Sequence, residues 1–188
     1  MPLLAKNATE LCRIAQIKYP GTDYLPLAQD ARHFAELLLE NHLWMDAIAY
    51  LSFAISPRES IWWAWFCARK AALPQSDPVD LKALSIAEAW IAQPNEDNRQ
   101  AARLQSEHMP ASVAQSVLQA IYATGDIENE ITGEKSPGSP LLPHKYVQVT
   151  VISAVYAINV DNPELAATEF LRQALDVANR IQLWTQYT

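Results

Sequence analysis

Ser56-Pro57-Arg58-Glu59-Ser60-Ile61-Trp62-Trp63-Ala64-Trp65-Phe66-Cys67-Ala68-Arg69-Lys70-Ala71 is the stretch on which the fold turns, because three tryptophans and a phenylalanine fall within positions 62–66. Ser56 suits an N-cap, Pro57 suits the first helical position, and Glu59 stands three residues after the cap, so the spacing predicts a helix beginning at Pro57 behind a capping box. At about 100° per residue, Arg58, Trp62, Trp65 and Arg69 share one side, and Glu59, Trp63, Phe66 and Lys70 share the adjacent one. No side of this helix is purely polar. It is either the central element of a helical domain or a docking surface, and neither role supplies a reaction.

Working outward, the composition points to an all-α fold. Half of the 188 residues are apolar, and four glycines stand against twelve prolines. Sheets joined by tight turns use more glycine than that, whereas helices punctuated by proline do not. The expected architecture is a single helical domain over 1–188, a bundle of seven to nine helices with some arranged as hairpins. Residues 1–22 form an N-terminal brace and 125–145 a long loop or strap. The net charge of −7 argues against a phosphate-backbone binder, so nucleic acid is not an expected partner. No basic region followed by a long apolar run opens the chain and no stretch approaches ~20 apolar residues, which predicts a cytoplasmic protein without a membrane span. Cys12 and Cys67, far apart in apolar helical surroundings, read as two buried thiols rather than a disulfide.

Several further helices follow from apolar spacing at three and four residues. Ala8 to Ile17 is a short one, stopped by Tyr19-Pro20-Gly21. Pro26 to Glu40 carries Leu27, Ala31, Phe34, Leu37 and Leu38 on one stripe, and Trp44 to Ile55 resumes after a brief break. Asp77-Pro78 opens a helix that ends near Gln93-Pro94. Asn95 to His108 is polar, with a narrow inward stripe of Ala101, Ala102 and Leu104, and Pro110 opens the next helix. The glycines and prolines from Gly125 to Lys145 mark a change of character, with Pro137 to Pro143 tending to polyproline II. Tyr146 to Ile158 is nearly all apolar and reads as a buried helix; Asn162-Pro163-Glu164 caps the last one, closed by Leu183 and Trp184. Residues 47–64 and 84–101 echo each other faintly, as many helix-proline-helix connections do.

Little chemistry is legible. His33, His42, His108 and His144 form no metal-binding spacing and read as surface residues, so neither a metal site nor a cofactor is expected. Phosphate-binding glycine loops and the serine-hydrolase elbow are missing. Glu36 and Glu40 lie off the leucine stripe, where a solvated face accounts for them better than paired acid–base work. Cys67 has apolar neighbours that suppress its thiolate. No catalytic residue is therefore expected. Of Trp62, Trp63, Trp65 and Phe66, most read as core and one or two as surface rings, with Arg69 placed to lie over the indole of Trp65 or Trp62.

The order of motifs has a counterpart. Leu43-Trp44-Met45-Asp46-Ala47, Ser56 to Ala64, Ala89-Trp90-Ile91-Ala92-Gln93-Pro94 and Asn98-Arg99-Gln100-Ala101-Ala102 resemble the pattern of a family of uncharacterised all-helical bacterial proteins. The likeness covers roughly residues 25–185, including the Pro-rich loop and the apolar helix after it. It implies an accessory protein associated with type VI secretion gene neighbourhoods, and it carries over no catalytic residue. Where the family has a Trp-Ser-Gly-Gly turn this chain has Ile121-Tyr122-Ala123-Thr124-Gly125-Asp126, so no role of that turn carries over either.

The reading that results is a non-enzymatic interaction module that binds another protein, an adaptor or chaperone-like accessory of a secretion system. Trp62, Trp63, Trp65 and Arg69 with Pro137 and Pro140 of the strap are the expected contacts. The alternative is a helical enzyme or small-ligand binder with a Trp-lined pocket. A homodimer through the Tyr146 to Ile158 helix stays open.

Overall fold

The structure, a computed structural model, describes residues 7–74, 77–128 and 132–182. Side chains that cap backbone donors set where many of the helices begin. Asn7, Asp30, Asn95 and Ser112 each accept the N–H three residues ahead, and Asp77 accepts that of Val79, relieving donors that have no partner inside the first turn. The α-helices are α1 (Ala8–Ala15), α2 (Ala31–Glu40), α3 (Trp44–Ala54), α4 (Pro57–Ala72) and α5 (Pro78–Ala92), followed by α6 (Glu96–Glu107), α7 (Val113–Tyr122), α8 (Leu142–Ile158) and α9 (Pro163–Arg180). A 3₁₀ helix spans Gly21–Leu27, and β1 (Ile127–Glu128) pairs antiparallel with β2 (Lys135–Ser136), Ile127 opposite Ser136. The fold is all-α, with this small ladder as the strand content of the described residues.

The Trp-rich helix is the axle. Helix α4 packs on α5, α7, α8 and α9, so its lack of a polar face follows from having almost no solvent side. The indole of Trp63 is wholly buried and donates its Nε1–H to the carbonyl of Phe170 at 2.9 Å; that of Trp65 donates to Leu84 at 2.9 Å. Both polar tips are thus satisfied where water cannot reach them. Helix α3 is still more enclosed, with every residue from Ala47 to Ala54 buried between α1, α2, α8 and α9. Its buried hydroxyls are also paired, Tyr50 to the Ala31 carbonyl and Ser52 to that of Ile48.

Several expectations need correction. The helix expected from Pro26 begins at Ala31, because Asp30 supplies the cap while Pro26 belongs to the preceding 3₁₀ helix. Helix α4 does begin at Pro57, but no capping box forms: the Ser56 hydroxyl turns to the Glu59 carboxylate instead of a backbone N–H. In α6 the inward side is Arg99, Ala102 and Ser106, and Leu104 stands 51 % exposed. The polyproline stretch is cut short, since a turn from Ser139 to Leu142 feeds α8 and buries Pro143 in its first turn. His144, expected at the surface, is buried; its ring stacks on Phe53, and Nδ1–H donates to the Ser52 carbonyl at 2.7 Å. Leu183 and Trp184 lie outside the described residues.

Two tests follow from this packing. Trp63→Ala should cost about 3–5 kcal/mol in urea unfolding, with Trp63→Phe losing less, because it removes the largest fully buried side chain. Burial holds the His144 imidazole below its ordinary 6.5. The unfolded chain therefore takes up a proton that the folded chain resists, and stability present above pH 6.5 declines as the pH falls below it. His144→Gln should flatten that decline in unfolding measured between about pH 7 and pH 5.

Candidate functional site

The sequence motifs meet at helix ends. The last turn of α5 contains no basic residue, and its carbonyls are closed from other helices. Arg58 of α4 donates through Nε and Nη2 to Ile91 at 2.9 and 2.8 Å, and Asn98 of α6 donates to Gln93 at 2.9 Å and to Ala89 at 3.3 Å. Three quoted motifs therefore share one cap, which explains their residue types in terms of unpaired helical carbonyls. The fourth opens α3, where Trp44 meets Tyr156 of α8 edge to face at 6.0 Å and burial raises the Asp46 carboxyl above its usual range.

Arg99 closes a second helix end. Its buried guanidinium grips Glu96 through Nε and Nη2, both at 2.8 Å, and Nη1 donates to the carbonyls of Tyr122 at 2.7 Å and Asp126 at 3.1 Å. The same group lies 5.0 Å over the Tyr122 ring. Gly125 sits directly beneath it, where a Cβ would come within 2.9 Å of Cζ, and Gly138 of the strap approaches so closely that a Cβ would stand 2.5 Å from the Gly125 carbonyl. Arg99 thus latches the turn after α7, and the strap is laid on that turn. Hydrogen bonds from Arg99 and then Gln100 hold the Glu96 carboxyl down at about 2.

The expected contact residues do not form one surface. Trp63 is sealed in the core, out of reach of a partner, and Trp65 is only 9 % exposed, whereas Trp62 is half-buried and Arg69 exposed. Arg69 lies over the Trp65 ring at 5.3 Å. Trp65 and Arg69 line a hollow of about 170 Å³ with Leu81, Leu84 and Glu88, smaller than the roughly 300 Å³ at which small-ligand pockets begin. Pro137 and Pro140 are exposed on the strap, which packs through Gly138 against the end of α7.

A different surface escaped the reading of the sequence. At the end of the bundle where α4 and α8 finish, Ala71, Ala72, Asp80, Val113 and Ala157 line a hollow of about 180 Å³. Ala71 and Ala157 also wall a second of about 380 Å³, completed by Lys70, Pro74, Ile158 and Glu169. Leu73 (52 % exposed), Val79 (38 %) and Ile158 (43 %) leave large apolar side chains open to solvent on the elements that form it. The signal in the sequence was faint: small residues at helix ends, distant from one another in the chain.

The family's sequence profile matches residues 34–178, about three quarters of the chain, from within α2 to near the end of α9. The chain belongs to the family of unknown function DUF6931. No curated protein and no solved structure matches it. All four motifs of the helix-end network fall within the DUF6931 span, while α1 and the 3₁₀ helix precede it. Among the described residues of this DUF6931 protein, no three histidine, cysteine or carboxylate side chains gather as a metal site, and no helix is long and apolar enough to cross a membrane. Burial pushes the Cys12 thiol up to about 12 and that of Cys67 well above its ordinary range, so neither offers a thiolate nucleophile near neutrality.

The DUF6931 latch is open to test. Arg99→Ala should lower stability by about 2–3 kcal/mol, since it leaves the carbonyls of Tyr122 and Asp126 without their donor. Glu96 is largely exposed, so Glu96→Gln should cost under about 1 kcal/mol at neutral pH. Its lowered carboxyl stabilises the fold above 4.5 and loses that effect as the pH falls toward about 2. Denaturant titrations across that window should show a shallower acid decline in the Gln variant.

Proposed function

We propose that this protein is a non-enzymatic protein-binding module, an adaptor or chaperone-like accessory of a bacterial secretion system that works in the cytoplasm. The observation that carries the binding role is the groove at the bundle end, where two adjoining hollows share the walls Ala71 and Ala157 and the exposed Ile158 lines one of them. Exposed apolar area gathered in a concavity is costly for a freely soluble surface and gains when a partner covers it. The secretion setting rests on the resemblance of the four motifs to proteins of type VI secretion neighbourhoods. Trp62 and Arg69, with Pro137 and Pro140, supply accessible secondary contacts. The Trp-lined pocket has less support, because the space beside Trp65 is too small for an ordinary ligand.

Ala157 is exposed and walls both hollows, so Ala157→Trp blocks the groove without entering the core. Tagged wild type drawn from the native bacterium should retain a specific protein that a still-folded Ala157→Trp variant loses, as judged by mass spectrometry and circular dichroism. Equal recoveries from both, combined with indole quenching by small metabolites, would overturn the adaptor reading.

A further inference from the structure

We infer that the bundle-end groove receives a basic amphipathic helix from its partner, an inference that rests on the protein-binding reading above. Shape comes first. The hollows of about 180 and 380 Å³ meet at Ala71 and Ala157, giving two adjoining sockets in which small and apolar side chains are rimmed by Asp80 and Ser112 in one and by Lys70 and Glu169 in the other. A helix presents large side chains at i and i+3 or i+4 about 5–6 Å apart, and such pairs are what helix-in-groove recognition uses as anchors. Ile158, 43 % exposed, supplies the large apolar side chain of the wider socket.

Charge then selects the polar face of the occupant. Lys70, the basic side chain lining the groove, is already paired with Glu169, whereas among the described residues Asp80 accepts a hydrogen bond from the Ser112 hydroxyl at 2.7 Å and has no cationic partner. The last turn of α8 reaches the groove at Ala157 and Ile158 with no basic residue to offset its negative pole. The whole chain carries −7, which adds attraction at longer range. The N-terminal poles of α5 and α7 also point toward this end, but Asp77 and Ser112 already cap them. Lysines or arginines flanking the apolar anchors meet these groups, and an acidic helix is repelled.

The test uses the full chain and two fluorescein-labelled helical peptides of about 18 residues, one built of leucine and lysine and one of leucine and glutamate, read by anisotropy. The Leu/Lys peptide should bind about tenfold or more tightly than the Leu/Glu peptide. Ala157→Trp should abolish that binding, and Asp80→Lys should weaken it several-fold at low salt and less at high salt. Ile158→Asp, on the exposed rim, gives a second block should Ala157→Trp misfold. Equal binding of the two peptides, or Leu/Lys binding indifferent to both groove variants, would overturn the inference. So would light scattering that shows a dimer dissolved by Ala157→Trp, since a second copy would then fill the groove. A native partner lost in Ala157→Trp alongside failed Leu/Lys binding would refute the basic helix while leaving the adaptor reading intact; loss of both results would refute both.

Discussion

The Trp63 indole, wholly buried and bonded to the Phe170 carbonyl, is the contact on which the arrangement depends. It joins α4 to α9 across more than a hundred residues of chain, and Trp65 makes the corresponding bond to α5. Large rings supply the apolar area that drives packing, and their N–H groups fix where along a neighbouring helix each ring must stop. Helices α7 and α8 then close over the remaining sides of α4. A helix enclosed in this way keeps only a narrow accessible strip, at Arg58, Trp62 and Arg69.

That enclosure raises a second problem, the unpaired carbonyls at helix ends. The chain solves it with side chains borrowed from other helices: Arg58 and Asn98 on α5, and Arg99 on α7. These polar residues are where the motifs quoted from the sequence converge, and all fall inside the DUF6931 span. Their positions are accounted for by architecture. The concave, solvent-open end of the bundle, formed where α4 and α8 stop, is the surface on which the proposed binding role rests.

Much of the fold was legible because it is written locally. The start of α4 at Pro57, the cap-proline start of α5 at Asp77-Pro78 and the apolar run of α8 follow from spacing and proline rules that act within a turn or two. What was not legible depends on distant partners. Nothing near His144 announces that α3 will bury it, since its neighbour Phe53 and its acceptor Ser52 lie far away in sequence. Arg99 in a polar helix looks like a solvated charge until the turn after α7 folds over it. The groove was hidden for the same reason, being made of small residues from helix ends that only the tertiary fold brings together. The Trp cluster was legible as mostly core with a ring or two toward the surface, and Trp63 and Trp65 are buried while Trp62 and Phe66 are half-buried; which rings fall where depends on the neighbouring helices.

The central claim is that α4 is the enclosed axle of this domain. Native-state hydrogen exchange read by mass spectrometry tests it most directly, because exchange in a fully packed helix requires global unfolding while a peripheral helix opens on its own. The account predicts that amides of residues 61–71 exchange only through global opening, at the free energy obtained from denaturant unfolding, and that α6 opens at lower cost. Exchange of α4 as fast as that of α6 would contradict it.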